Sequence, residues 1–136
     1  MNRRRAREYA LQMLFQSEFA GKDREETVPE DAGAGKNDKE ELKHFATEIY
    51  RGTLKHLEEI DRVIQEAAEH WDLHRMAAVD RNILRFAVYE ILYRPDIPSA
   101  VTINEALEIA KKYSSLESVP FINGLLDRIA RNCAKA

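Results

Sequence analysis

Arg3, Arg4, Arg5 and Arg7 fall within a span of five positions near the N-terminus. A guanidinium stays charged at any physiological pH, forks onto pairs of phosphate oxygens and stacks on flat rings. Several of them in one short segment are chemistry for a polyanion, and arginine-rich segments frequently order on RNA. Each phosphate so neutralised releases counterions and steepens the dependence of binding on salt. Set against Glu8 alone, the four arginines give residues 1–9 a net +3, which leaves −6 for the other 127 residues of a chain whose total is −3. Residues 21–41 add to the contrast with eight acids and four bases. A basic head followed by an acidic segment is a charge asymmetry that points to nucleic acid, although a solvated terminus would show it too. Duplex DNA readers insert a basic recognition helix, and the interior offers none, so RNA is the better polyanion.

The other reactive residue types do not assemble into a reaction. Gly33-Ala34-Gly35-Lys36-Asn37 resembles a phosphate loop but has Glu30 and Asn37 where that loop needs a glycine and a hydroxyl. His70 and His74 have the i, i+4 spacing of a helical metal pair, yet the motif's acid and a third ligand are missing, so they read as surface histidines. Cys133 is the sole cysteine, which excludes an intrachain disulfide and a multi-thiolate zinc site and leaves a packing role. Ser17, Ser99, Ser114, Ser115 and Ser118 are not on a glycine-flanked elbow. Carboxylates are too numerous for sequence to single out an acid and a base. The expectation is a protein with no enzymatic activity, no cofactor and no metal.

What must position the arginines is helical. The 136 residues are one domain's worth, and 44% hydrophobic with 33% charged is an ordinary globular composition. No run approaches the roughly 18 apolar residues of a membrane span, and the arginines lead into no signal-peptide apolar segment, so a cytoplasmic protein is expected. Over 6–19, Tyr9, Ala10, Met13 and Leu14 form one stripe and Leu11, Phe15 and Phe19 a second, so this helix is either deeply buried or offers one face to a partner. Residues 21–38, with Gly21, Pro29, Gly33 and Gly35, read as a flexible acidic loop. Helix resumes at Leu42 and runs past a break near Gly52-Thr53 to Ala67. A further helix is expected over 79–93, stopped by Pro95 and Pro98. Thr102-Ile103-Asn104-Glu105 fits a capping box for the next, which runs to about Tyr113 with Glu108 and Lys112 paired. Ser118 is placed to cap the last, whose stripe is Phe121, Leu125, Leu126, Ile129 and Ala130. Sustained period-2 alternation is missing, and so are internal repeats. The fold class is therefore all-α, a single bundle of about six or seven helices spanning 1–136.

Three ordered segments resemble the NusB family of bacterial transcription antitermination factors. They are Arg3-Arg4-Arg5-Ala6-Arg7-Glu8 with Ala10 and Gln12; Trp71-Asp72-Leu73-His74-Arg75 with the run from Val79-Asp80-Arg81-Asn82 to Leu92; and Asp96-Ile97-Pro98, Ile103-Asn104-Glu105-Ala106, Ala110-Lys111 and Phe121-Ile122-Asn123-Gly124-Leu125-Leu126-Asp127. The resemblance implies a helical, non-enzymatic protein that pairs with the ribosomal protein NusE, binds the boxA element of nascent ribosomal RNA and helps the RNA polymerase antitermination complex resist termination. It implies that Arg3, Arg4, Arg5 and Arg7 meet the RNA, that Phe121 stacks on a base, and that Phe15 and Asp80 face NusE. By apolar pattern alone Phe121 is a core aromatic. Family members often carry an aspartate where Glu117 stands, a contact near the RNA; glutamate keeps the acceptor with a different reach. Asn104, Glu105, Asn123 and Gly124 read as structural: a cap, a buried amide network and close helix packing. Some ribosomal RNA cytosine methyltransferases begin with a similar domain and continue into an α/β catalytic domain; a chain of 136 residues is expected to be the stand-alone factor. A helical interaction module that does not touch RNA is the rival reading. For the free protein, monomer and homodimer are both open.

Overall fold

The structure is a computed structural model that describes residues 2–20 and 36–133. Six α-helices make up the described residues: α1 (Arg3–Ala20), α2 (Lys36–Lys55), α3 (Leu57–Ala68), α4 (Ala78–Tyr93), α5 (Ser99–Tyr113) and α6 (Ser118–Asn132), with a 3₁₀ turn at Leu73–Arg75 before α4. None of these helices is long and apolar enough to cross a membrane. Residues 21–35 of the expected acidic loop lie outside the described residues, and its last three positions, 36–38, belong to α2.

α4 is the axis of the bundle. Eleven of its residues are buried, on every side of the helix, and it packs against each of the other five. Ile83, Leu84, Phe86, Ala87, Val88 and Ile91 supply its apolar contacts. A helix buried all round must satisfy its polar groups inside the protein. Glu90 is wholly buried and accepts Arg7 Nε at 2.7 Å, Arg7 Nη2 at 2.9 Å and the Thr102 hydroxyl at 2.7 Å. One carboxylate thus clasps α1, α4 and α5. Near the other end of α4, Arg85 donates to both carboxylate oxygens of Asp61 at 2.9 Å, and Arg81 and Arg85 share Glu18. Arg81's hydrogen bond holds the Glu18 carboxyl below its ordinary range.

Several local expectations are corrected. α1 begins at Arg3, not near Ala6, because Asn2 Oδ1 accepts the Arg5 backbone N–H at 3.1 Å, so the arginines form the first turns of a helix. The break after α2 falls at His56, not at Gly52-Thr53. Gly52 is needed inside the helix, since a Cβ there would lie 2.3 Å from carbons of the Tyr89 ring. Thr102 is not a cap: α5 already begins at Ser99, and the Thr102 hydroxyl turns inward to Glu90. Lys111, not Lys112, pairs with Glu108, at 2.9 Å. His70 and His74 share no helix face, because α3 ends at Ala68; no cluster of metal-binding side chains occurs among the described residues. On the second stripe of α1, Leu11 is buried whereas Phe19 is 67% exposed. Asn104 and Asn123 are exposed and so belong to no buried amide network, and Gly124 packs against nothing within 4 Å.

Two outcomes follow from this packing. Changing Glu90 or Arg7 to Ala strands the other charge in the core and is expected to lower the free energy of unfolding by about 3–5 kcal/mol, read by urea denaturation. A loss of well under about 1 kcal/mol, the scale of an exposed pair, contradicts the clasp. Gly52→Ala is expected to destabilise by about 1–3 kcal/mol through overpacking against Tyr89, although alanine is the better helix former; a higher Tm would show that the ring moves aside without cost.

Candidate nucleic-acid interface

The first turn of α1 concentrates positive charge where the helix dipole is already positive, an arrangement that calls for anions. Within the chain those anions are carboxylates. Arg4 Nε and Nη2 fork onto Glu105 of α5 at 2.8 and 2.9 Å. This hydrogen-bonded pair raises the Arg4 pKa and holds Glu105 below the ordinary carboxylate range. Arg5 Nη1 donates to Glu8 at 2.9 Å, and Glu8 also accepts from Lys112 Nζ at 3.3 Å and the Tyr113 hydroxyl at 3.2 Å. The Arg3 guanidinium lies 4.7 Å from the centre of the Phe45 ring and is exposed. Arg7 is different: at 2% exposure it is committed to Glu90, so its guanidinium is a structural ion rather than a surface one. The expectation that Arg7 meets RNA alongside its neighbours is corrected by this burial.

Lys112 and Tyr113 end α5, and the segment after them turns over the start of α4. There Asp80 accepts hydrogen bonds from the Ser114 hydroxyl and, at 2.7 Å, from the Ser118 hydroxyl. Ser118 does not cap its own helix; its backbone N–H donates to Ser115 Oγ at 3.2 Å, so Ser115 does that work. The Asp80 carboxylate, buried in the first turn of α4, thereby sets where α6 begins. It presents α6's opening residues, Glu117 exposed and Phe121 half-buried, beside Trp71. The Trp71 and Phe121 rings meet edge to face, 5.8 Å apart at 68°, around a hollow of about 740 Å³ that Asp80, Arg75 and Glu117 also line.

Hydrogen bonds therefore run from Arg5 through Glu8 to Tyr113, whose chain neighbour Ser114 continues through Asp80 to Ser118, one helical turn before Phe121; Arg4 flanks this band on Glu105. Of the residues singled out in sequence, Arg5, Glu117 and Phe121 fall on this band, Asp80 lies beneath it, and Arg3 sits to one side over α2. Phe15 is half-buried and meets the Phe19 ring at a tilt of 52°, with centroids 4.9 Å apart. It lines a second hollow, of about 520 Å³, with Arg5, Tyr9, Val79 and Tyr113; Val79 is next in sequence to Asp80 of the first hollow, and Tyr113 is close in sequence to its Ser115. Sequence reasoning missed Glu8, Lys112 and Tyr113 as the middle of the band. Trp71 stood in the quoted motif, but as a single aromatic just past a helix end it carried no periodic signal.

Comparison with known proteins agrees with this architecture. The NusB family model matches residues 4–131. The transcription antitermination protein NusB of Thermodesulfovibrio yellowstonii is 47% identical, over 96% of this chain and 93% of that protein. The T. maritima NusB structure superposes with a TM-score of 0.84 at 42% identity, covering 96% of this chain and 92% of the other. At 22% identity, a structure of antitermination factors NusB and NusE in complex with dsRNA shares the fold, with a TM-score of 0.77 over 96% of each chain. On the full-length match and the shared helical architecture, this chain belongs to the NusB family.

Proposed function

We propose that this protein is a transcription antitermination factor that binds the boxA element of nascent ribosomal RNA together with ribosomal protein NusE, as part of an RNA polymerase antitermination complex. The observation that carries the proposal is the band that joins an arginine-bearing helix start to the exposed Trp71 and the half-buried Phe121. Its two ends do the two things a single strand needs, phosphate neutralisation and base stacking. The protein acts in the cytoplasm and by binding alone, with no chemistry performed on the RNA.

Arg3, Arg4 and Arg5 meet phosphates, and the two that are already paired exchange a carboxylate for the strand. The exchange strands neither carboxylate, because the buried Glu8 keeps Lys112 and Tyr113, and Glu105 keeps Arg7 Nη1 at 3.9 Å. Arg7 acts by holding the turn in place. Phe121 stacks on a base, a contact of about 1–3 kcal/mol. Glu117 accepts from a base edge or a ribose hydroxyl beside it. NusE covers Phe15 and Phe19, and Asp80 serves that surface indirectly by fixing the loop that borders it. A rival reading, a helical interaction module without RNA contact, draws on the same ion pairs: Arg4 and Arg5 have protein partners already.

Salt separates the two. With Arg3, Arg4 and Arg5 all changed to Ala, the slope of log affinity against log salt for a boxA-like strand is expected to flatten by about 2, at roughly 0.7 per phosphate on a single strand. An unchanged slope and affinity would favour the interaction module. Phe15→Ala is expected to weaken NusE binding at least tenfold while leaving affinity for the strand alone within about twofold. Equal loss of both would remove the assignment of that face to NusE.

A further inference from the structure

Gly124 sits in the middle of α6, where glycine is a poor helix former and needs a compensating reason. Neither of the usual reasons applies. Its φ is not in the left-handed region, and a Cβ added there would meet nothing within 4 Å. Gly52 makes the contrast, since there the Tyr89 ring occupies the space a Cβ would take. The fold requires glycine at 52 and does not require it at 124. What Gly124 does provide is bare, exposed backbone on the α6 face that also carries Phe121 and Arg128, at i−3 and i+4.

Beside that face stands Trp71, 62% exposed, a large apolar area left in water. The backbone under it is held: Gln65 Nε2 donates to the Trp71 carbonyl at 2.7 Å, and Gln65 Oε1 accepts the Leu73 N–H at 2.9 Å. Trp71, Pro120, Phe121, Gly124 and Arg128 line a hollow of about 320 Å³, with Glu69 at its margin. Arg128 Nη1 donates to the Ala67 carbonyl at 2.7 Å, which anchors a positive charge on that wall.

We infer that Trp71 and the bare backbone at Gly124 form a second nucleotide site, which seats the base next to the one on Phe121 and brings its sugar-phosphate against Gly124 and Arg128. This deepens the RNA reading above and rests on it. A base suits the hollow better than a peptide side chain does: an exposed indole borders it, the floor at Gly124 has room for a backbone to approach, Arg128 supplies a cation beside it, and Trp71 and Phe121 are shared with the adjoining hollow. Aromatic side chains in series are how single strands are held with little regard to sequence.

Trp71 is the chain's one tryptophan, so its fluorescence reports the site directly. Titrating the full chain with a single-stranded boxA-like RNA is expected to quench that emission in step with binding measured independently by anisotropy of a labelled strand. Trp71→Ala is expected to weaken binding about tenfold and Trp71→Phe to recover most of it. Gly124→Ala is expected to raise or keep the Tm while weakening binding several-fold, a combination that damage to the fold would not produce. If Phe121→Ala loses affinity while Trp71→Ala and Gly124→Ala bind as the parent does, the second site is wrong and the RNA reading stands. If Gly124→Ala weakens capture of NusE and spares the strand, the ledge serves protein and the inference is wrong. Should the parent chain bind no strand with or without NusE, the RNA reading fails and takes this site with it.

Discussion

The buried carboxylate of Glu90 is the constraint on which the rest depends. A lone charge in a dry core costs several kcal/mol, so Glu90 can occupy the buried last turn of α4 only if Arg7 and Thr102 come to it from α1 and α5. The apolar core would tolerate some sliding of helix on helix, whereas a bidentate guanidinium and carboxylate admit one geometry. That geometry places the first turn of α1 against α5, which brings Arg4 to Glu105 and Glu8 to Lys112 and Tyr113. Asp80 repeats the device on a smaller scale at the start of α4, where two serine hydroxyls fix the entry to α6. Two buried acids on one helix thus set the positions of both ends of the proposed RNA-binding band.

Charge then divides by depth. Arginines of the same short segment have opposite roles: Arg7 neutralises the interior, while Arg3, Arg4 and Arg5 remain on the surface with ring or carboxylate partners that a phosphate can replace. Holding Arg4 on Glu105 keeps the guanidinium extended before RNA arrives, which reduces the side-chain entropy lost on binding. The acidic remainder of the chain discourages RNA from settling elsewhere, so a net charge of −3 coexists with a basic grip.

Much of this was legible in the residues. Helical periodicity places α4 within a residue of its observed start and identifies its inward side chains, and the arginine cluster marks one end of the site. Arg7 was open to a better reading, since it lies at i−4 and i−7 from Leu11 and Leu14, both buried, and so falls on an apolar stripe. The capping box at Thr102 failed because a hydroxyl and a carboxylate three apart look alike whether they serve their own helix or two different partners, and here Thr102 goes to Glu90 and Glu105 to Arg4. Glu8, Lys112 and Tyr113 were out of reach for a plainer reason: their meeting spans more than 100 residues and leaves no local trace. Gly124 was misread in sign, a helix glycine taken as a mark of tight packing when its surroundings are open.

In the proposed complex one strand lies across the band from the arginine turn of α1 to the start of α6. Photo-crosslinking a boxA-like strand carrying 4-thiouridine at successive positions, followed by peptide mapping, tests it most directly. The account predicts crosslinks that move with label position from residues 2–9 at one end to the segments around Trp71 and Phe121 at the other. Crosslinks gathered on the outer faces of α2 and α3, whatever the label position, would contradict it.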